Sequence, residues 1–399
     1  MLSREKAITA LERKRPHFQA YLTEQRKQQT RLDATLVEFL SLSKSQIEAM
    51  LDQLNINWPG ARPTFELDQA DRLCMPFAAQ WANHEEARNW ARETLLNRTV
   101  LAVDGSQIIP TKDISIPIGA IQVGWFINDH AIEGRYVKDV EFDVIAPGEL
   151  QGSEEEGESG FANWYINQQR FVGECRKLCE LIMNYADHPI EAKPVAFFDG
   201  SFIISFASPM LPRRSDIYLQ AVNEVLTYSE RSGVPVVGFV DGSFSRDLVG
   251  MIDNVMRTGS AQAITDTMLA GPLLPHWGDR TPFFICARDD AMSREGRAPF
   301  YEDVVFTYVR LTADRLPARV EMPRWVMESG RAESVIDAVR AECIIGLGYP
   351  YAIETADAVA VMNPADRERF TALFQQFVEQ EGLHITLARK ALSKQQRRV

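Results

Sequence analysis

Three stretches rich in β-branched and aromatic residues run into the same tripeptide, Asp-Gly-Ser: Thr99–Val103 into Asp104, Val195–Phe198 into Asp199, and Val234–Val240 into Asp241. Helical periodicity fills the intervals from Asn163 to about Tyr185 and from about Ser215 to Ser232, and further strands are expected over Ile114–Phe126 and Tyr136–Ile145. Buried strands alternating with helices predict an α/β fold. The flanking sequences differ and the intervals are unequal, so the three sites are not a repeat. Singly, Asp-Gly is a turn dipeptide, and the first block reads as a strand followed by a tight loop. Together, acids at the ends of buried strands are carboxylates held at fixed positions, as a divalent-cation site requires.

The other residues narrow the chemistry. None of the five cysteines forms a CxxC pair, and the six histidines show neither HxH nor HExxH spacing, so a zinc site is not expected. No GxxxxGK[ST] or GxGxxG is present to cradle ATP or NAD. Acids remain, and Mg²⁺ or Mn²⁺ take oxygen ligands. The 163–185 helix adds Glu174, four residues after Arg170 and so either its surface ion-pair partner or a ligand, and Glu180.

Elsewhere, Met1 to about Asn55 reads as two or three helices whose basic residues (Arg13, Lys14, Arg15, Arg26, Lys27, Arg31) form a solvated face. Trp58–Pro63 reads as a linker, Gln80–Leu96 as a helix, residues 151–160 (QGSEEEGESG) as an acidic loop, and ARKALSKQQRRV as a frayed basic tail. The net charge of −12 argues against a general basic coat for nucleic acid but leaves room for a local groove. The N-terminus is too charged for a signal-peptide core and no apolar run is long enough to span a bilayer, so the expectation is a cytoplasmic protein without a membrane segment.

Six blocks in order, VLAVDGSQ, VAFFDGSF, PVVGFVDGSFSRDLV, YEDVVFTYVRL, ARVEMPRWV and GLGYPYAIETADAVAVM, resemble the NurA nuclease domain, from about Thr99 to about Met362. The resemblance implies an RNase H-like, PIWI-like mixed-sheet core with flanking helices, divided as residues 1–95 (helical arm and linker), 96–362 (nuclease core) and 363–399 (C-terminal helix and basic tail). It implies a Mn²⁺- or Mg²⁺-dependent deoxyribonuclease with two ions, of 5′–3′ exonuclease and single-strand endonuclease type. It further implies DNA as substrate, a homodimer, and a hexameric HerA-type ATPase as partner in processing DNA ends.

Carried over block by block, the family's acids fall on Asp104 and Asp199. Its intervening glutamate falls on Glu174, with Glu180 as the alternative register. Asp357 stands where relatives commonly have a histidine, and Asp241 where many have a lysine. The carry-over therefore makes Asp104, Glu174, Asp199 and Asp357 the catalytic and metal-binding set, with Asp241 and Glu180 as further candidates. Ser243, Ser245 and Arg246 could hold a DNA phosphate at a helix N-terminus or simply cap it. Arg319 reads as a structural partner of Glu321, and the Gly346–Tyr351 turn as structural, its tyrosines packing at a sheet edge. The departures at Asp357 and Asp241 keep a second reading open, a catalytically weak adaptor of a HerA-type ATPase.

Overall fold

The computed structural model describes residues 2–111, 114–152, 163–257 and 263–382. The acidic loop at 151–160 falls almost entirely outside these residues, and the basic tail wholly so. Nine strands are present among the described residues: β1 (Gly60–Pro63), β2 (Val100–Ile108), β3 (Gly119–Asn128), β4 (Tyr136–Ile145), β5 (Val195–Asp199), β6 (Val236–Val240), β7 (Phe284–Ala287), β8 (Val304–Val309) and β9 (Ala318–Pro323). Packing groups the chain into two compact units, Met1–Trp81 with Phe239–Glu328, and Ala82–Gly238 with Ser329–Val399. Both units are discontinuous in sequence, so this grouping differs from the division at residues 95 and 362.

In the second unit β2, β3 and β4 form an antiparallel meander, and β5 lies parallel to β2. Adjacent residues of a strand face opposite sides, and the contacts show a helix on each. Gly105 and Gly119 lie against the Asn163–Met183 helix, whereas Ser106 and Gln122 bond to carbonyls of the Tyr351–Ala360 helix on the other face. Both faces of β2 are therefore covered, and Val100 to Ala102 are fully buried. The helix expected from Gln80 begins at His84, because the Asn83 side chain accepts the Glu85 and Glu86 amides and fixes the start there.

The tight loop expected after Val103 is absent. β2 runs through Asp104-Gly105-Ser106 to Ile108, paired residue by residue with β3 from Asn128 to Ala120. Long-range pairing overrides the local turn preference of Asp-Gly. The following strand correspondingly begins at Gly119 rather than Ile114.

In the first unit β1 pairs antiparallel with β7, and β7, β8 and β9 continue antiparallel. The expected linker at Trp58–Pro63 is thus largely a strand. Gly60 is needed at its start: φ is +96°, and a Cβ would lie 2.4 Å from the Asp247 carbonyl oxygen. The N-terminal region forms helices Arg4–Phe39 and Lys44–Gln53, the second opened by a Ser43–Gln46 capping box. No described helix is long and apolar enough to cross a membrane.

Candidate active site

Asp104 sits in mid-strand on β2 and Asp199 is the last residue of β5. The parallel register ends at Val103 opposite Phe198, so the two acids occupy the next neighbouring positions, where β5 stops and β2 continues. The notch left beside β2 gives their carboxylates room to meet other groups.

Glu174 reaches this notch from the Asn163–Met183 helix, and Gly105 makes the approach possible. A Cβ at residue 105 would lie 2.5 Å from Glu174 Oε1. The glycine of the first Asp-Gly-Ser therefore serves helix approach, not a turn. Glu174 is buried and takes a hydrogen bond from Arg170 Nη1, one helical turn earlier. On the other face, the Tyr351–Ala360 helix carries the exposed Asp357, whose carboxyl is within hydrogen-bonding reach of Asp104. Tyr349, in the preceding turn, donates its hydroxyl to Asp199 Oδ1 at 2.6 Å.

Charge in the notch is undercompensated. Burial pushes the Asp104 carboxyl up to about 7, and neighbouring Asp199 and Asp357 add to the rise against a bond from the Gly105 amide. Burial likewise pushes Glu174 up to about 7: Arg170 opposes the shift, and Asp104 and Asp199 reinforce it. Asp199 is also raised, by burial first, with Tyr349 pulling the other way. Carboxyl groups that interact this strongly share their protons, and both environments disfavour the fully ionised set.

An all-carboxylate donor set of this kind fits a hard divalent cation. As the side chains stand, no group of three or more His, Cys, Asp or Glu among the described residues is arranged as a ready cation site. Glu174 is turned onto Arg170 and Asp199 onto Tyr349.

The remaining candidates have partners of their own or stand exposed. Glu180 is exposed and bonds Lys177 Nζ at 2.8 Å, which leaves Glu174 as the glutamate beside Asp104. Asp241 belongs to the first unit, is exposed, and stands 3.9 Å from Arg315. Ser243 Oγ accepts the Ser245 amide at 3.2 Å, and Ser245 Oγ accepts from Arg288 at 2.8 Å. Arg246 is exposed and makes no side-chain cap bond at the Asp247–Met256 helix. The first free amides of that helix, on Leu248 and Val249, already bond the Asp266 carboxylate at 3.1 and 2.8 Å. A phosphate would have to displace that buried acid, so the helix start is filled from within.

Arg319 is structural, as expected. It is buried and bonds Glu321 at 2.6 Å and Asp247 at 2.7 Å. Tyr351 also behaves as expected: its ring packs on Phe126 and its hydroxyl meets that of Tyr136 on β4 at 2.8 Å. Tyr349 does not, since it touches an acid of the notch. Its only sequence signal is its place in Gly346–Tyr351, two residues before a helix that carries an acid.

The chain matches the NurA domain family over residues 98–362. Among solved structures it is similar to crystal structures of NurA, one of them with manganese (11% identity over 75% of this chain and 94% of that one, TM-score 0.37) and one without (10%, 70% and 88%, TM-score 0.41). It is also similar to the catalytic domain of human endonuclease V (14%, 75% and 97%, TM-score 0.31). No curated protein sequence matches it. With the match spanning well over half the chain, whose fold is a mixed sheet flanked by helices, the protein belongs to the NurA family of nucleases.

Proposed function

We propose that this nuclease is a metal-dependent deoxyribonuclease acting on DNA ends, with Asp104, Glu174, Asp199 and Asp357 as its catalytic and metal-binding set. The observation that carries the reading is the convergence of these four acids from β2, β5 and the two flanking helices on one notch, with Asp104 and Glu174 both pushed up to about 7. Like charges gathered without matching cations are costly unless a bound cation offsets them. Mn²⁺ or Mg²⁺, two ions in all, would supply Lewis-acid chemistry, polarising the phosphodiester and acidifying the attacking water.

The protein's own groups have distinct tasks. Asp104 and Asp199, each carried by a strand of the sheet, would hold the cations. Glu174 turns from Arg170 toward the notch and, with a pKa near neutrality, takes the proton of the attacking water. Arg170, whose buried Nε makes no hydrogen bond, is left to donate to a phosphate oxygen. Asp357 would hold the second ion in place of the histidine of its relatives. The 5′–3′ exonuclease and single-strand endonuclease type, the homodimer, the HerA-type hexameric ATPase that would feed DNA to the site, and a cytoplasmic location rest on the family resemblance.

The test is cleavage of single- and double-stranded DNA with Mn²⁺, Mg²⁺ or EDTA. Degradation with Mn²⁺ that EDTA abolishes supports the reading. A folded chain that cleaves neither substrate with either metal, alone or with the ATPase, overturns it in favour of the adaptor.

A further inference from the structure

The N-terminal helix Arg4–Phe39 carries two apolar stretches on one seven-residue period, separated by Gln25 and Gln29, and only the second is covered. Ile8, Leu11, Arg15, Phe18 and Leu22 alternate at intervals of three and four, and the same stripe continues to Leu32, Leu36 and Phe39. The latter three are 0%, 8% and 1% exposed, whereas Ile8, Leu11, Phe18 and Leu22 are 45%, 60%, 54% and 47% exposed. From Arg4 to Glu24 no residue is buried. Most of a helix's stability in a protein comes from burying its apolar face, which the first half of this helix leaves exposed. The 3.5-residue period specifies the cover, because only another helix keeps such a seam in register. Pro16 lies one position past the seam and faces away from it. This arm also lies outside the 98–362 family match, so its role is not that of the nuclease domain.

We propose that the exposed half of this helix pairs antiparallel with the same segment of a second copy of the chain. Charge and ring chemistry select that occupant and its register. With Leu11 opposite the partner's Leu22, two-fold symmetry repeats the contact. The next layer sets Arg15 against the partner's Phe18, a cation–π pair formed twice. At the flank Glu12 meets the partner's Arg26, again twice. Lys14 and Tyr21 occupy the other flank, so no like charges face each other there. A parallel arrangement instead stacks Arg15 on the partner's Arg15 in the seam and leaves Glu12 beside the partner's Ala7. The exposed apolar residues Ile8–Leu22 are centred on residue 15, close to the centre of the antiparallel register between residues 16 and 17.

This names a surface for the second copy proposed above and is independent of the nuclease chemistry. The test uses the full chain, whose first native cysteine is Cys74. Under mild oxidation the double variant L11C/L22C should form a disulfide-linked dimer, while L11C alone should not, since residue 11 faces residue 22. Cross-linking of L11C alone would mean a parallel pair, and absence of a cross-link in the double variant would mean no pair; either overturns the proposal. As an independent check, sedimentation should show E12R weakening dimerisation about tenfold and E12R/R26E restoring it. A dimer unaffected by these changes and by L11E/L22E would use another surface, which sinks the arm pairing but leaves the second copy standing.

Discussion

Each unit gathers a cluster of acids, and the two are balanced in opposite ways: the first is buried, whereas in the second Glu174 is buried, Asp104 is half-buried and Asp199 and Asp357 are exposed. In the first unit Asp247, Asp266 and Glu321 are interleaved with Arg288 and Arg319, with Tyr308 donating to Asp266 at 2.7 Å. Burial alone would raise Asp247, but Arg288 and Arg319 hold it below the usual carboxylate range. Asp266, deeper and beside Asp247, is pushed up to about 6. In the second unit four acids meet one arginine, and two of them rise to about 7. A buried acid cluster matched by its own arginines is a piece of architecture. One left short of positive charge has to take it from a proton or a bound cation.

The contrast can be broken most sharply by removing a member of each cluster. Asp104→Asn or Asp199→Asn should cut DNA cleavage about a thousandfold or more, by analogy with loss of a group that stabilises transition-state charge. Chemical denaturation should show the metal-free fold as stable as before or slightly more so, because a crowded like charge has gone. Arg319→Met should do the reverse. It removes one of the two arginines that hold buried Asp247 and the arginine bonded to buried Glu321, and unfolding midpoints should report a loss of about 3–5 kcal/mol. Activity surviving in both aspartate variants would remove them from the site, and an undiminished midpoint in the arginine variant would erase the distinction between the clusters.

In the second unit a proton would compete with the proposed metal. For Asp104 and Glu174 the folded pKa, about 7, lies above that of the unfolded chain, about 4. Their protonated forms therefore favour the fold fully below pH ~4, and that contribution is lost as pH rises to ~7. Mn²⁺ should offset the loss by replacing the protons, so calorimetric affinity should rise from pH 5.5 to 7.5 and then level off. The thermal shift caused by Mn²⁺ should follow the same curve. A pH-independent affinity would show that these carboxyls are not the ligands. The smallest effect is expected from Tyr349→Phe, which removes the hydroxyl bonded to Asp199 and should weaken Mn²⁺ binding about tenfold with little change in stability. Unchanged affinity would make Tyr349 a packing residue only.

Local signals in the sequence located most of what is local. β-Branched runs marked β2, β5 and β6, caps and periodicity marked the long helices, and the acids at 104 and 199 stood out because buried strands rarely carry charge. The distinction between Glu174 and Glu180 was not local: six residues apart on one helix, they differ in azimuth by about a third of a turn. Only the packing on Gly105 decides which faces β2.

What the sequence by itself determined is therefore the inventory: an α/β chain, its acid-bearing strands, and a donor set of oxygens without zinc or nucleotide motifs. The tertiary structure decided the assembly. It turned Asp104-Gly105-Ser106 from an expected turn into the middle of a strand, and made Gly60–Pro63 a strand rather than a linker. It put Asp241 in the other unit and brought Tyr349 to Asp199. The physical reason is the same in each case. A turn preference or a cap is set by a few neighbouring residues, whereas a strand's length and an acid's neighbours depend on partners far along the chain, whose burial outweighs local preference.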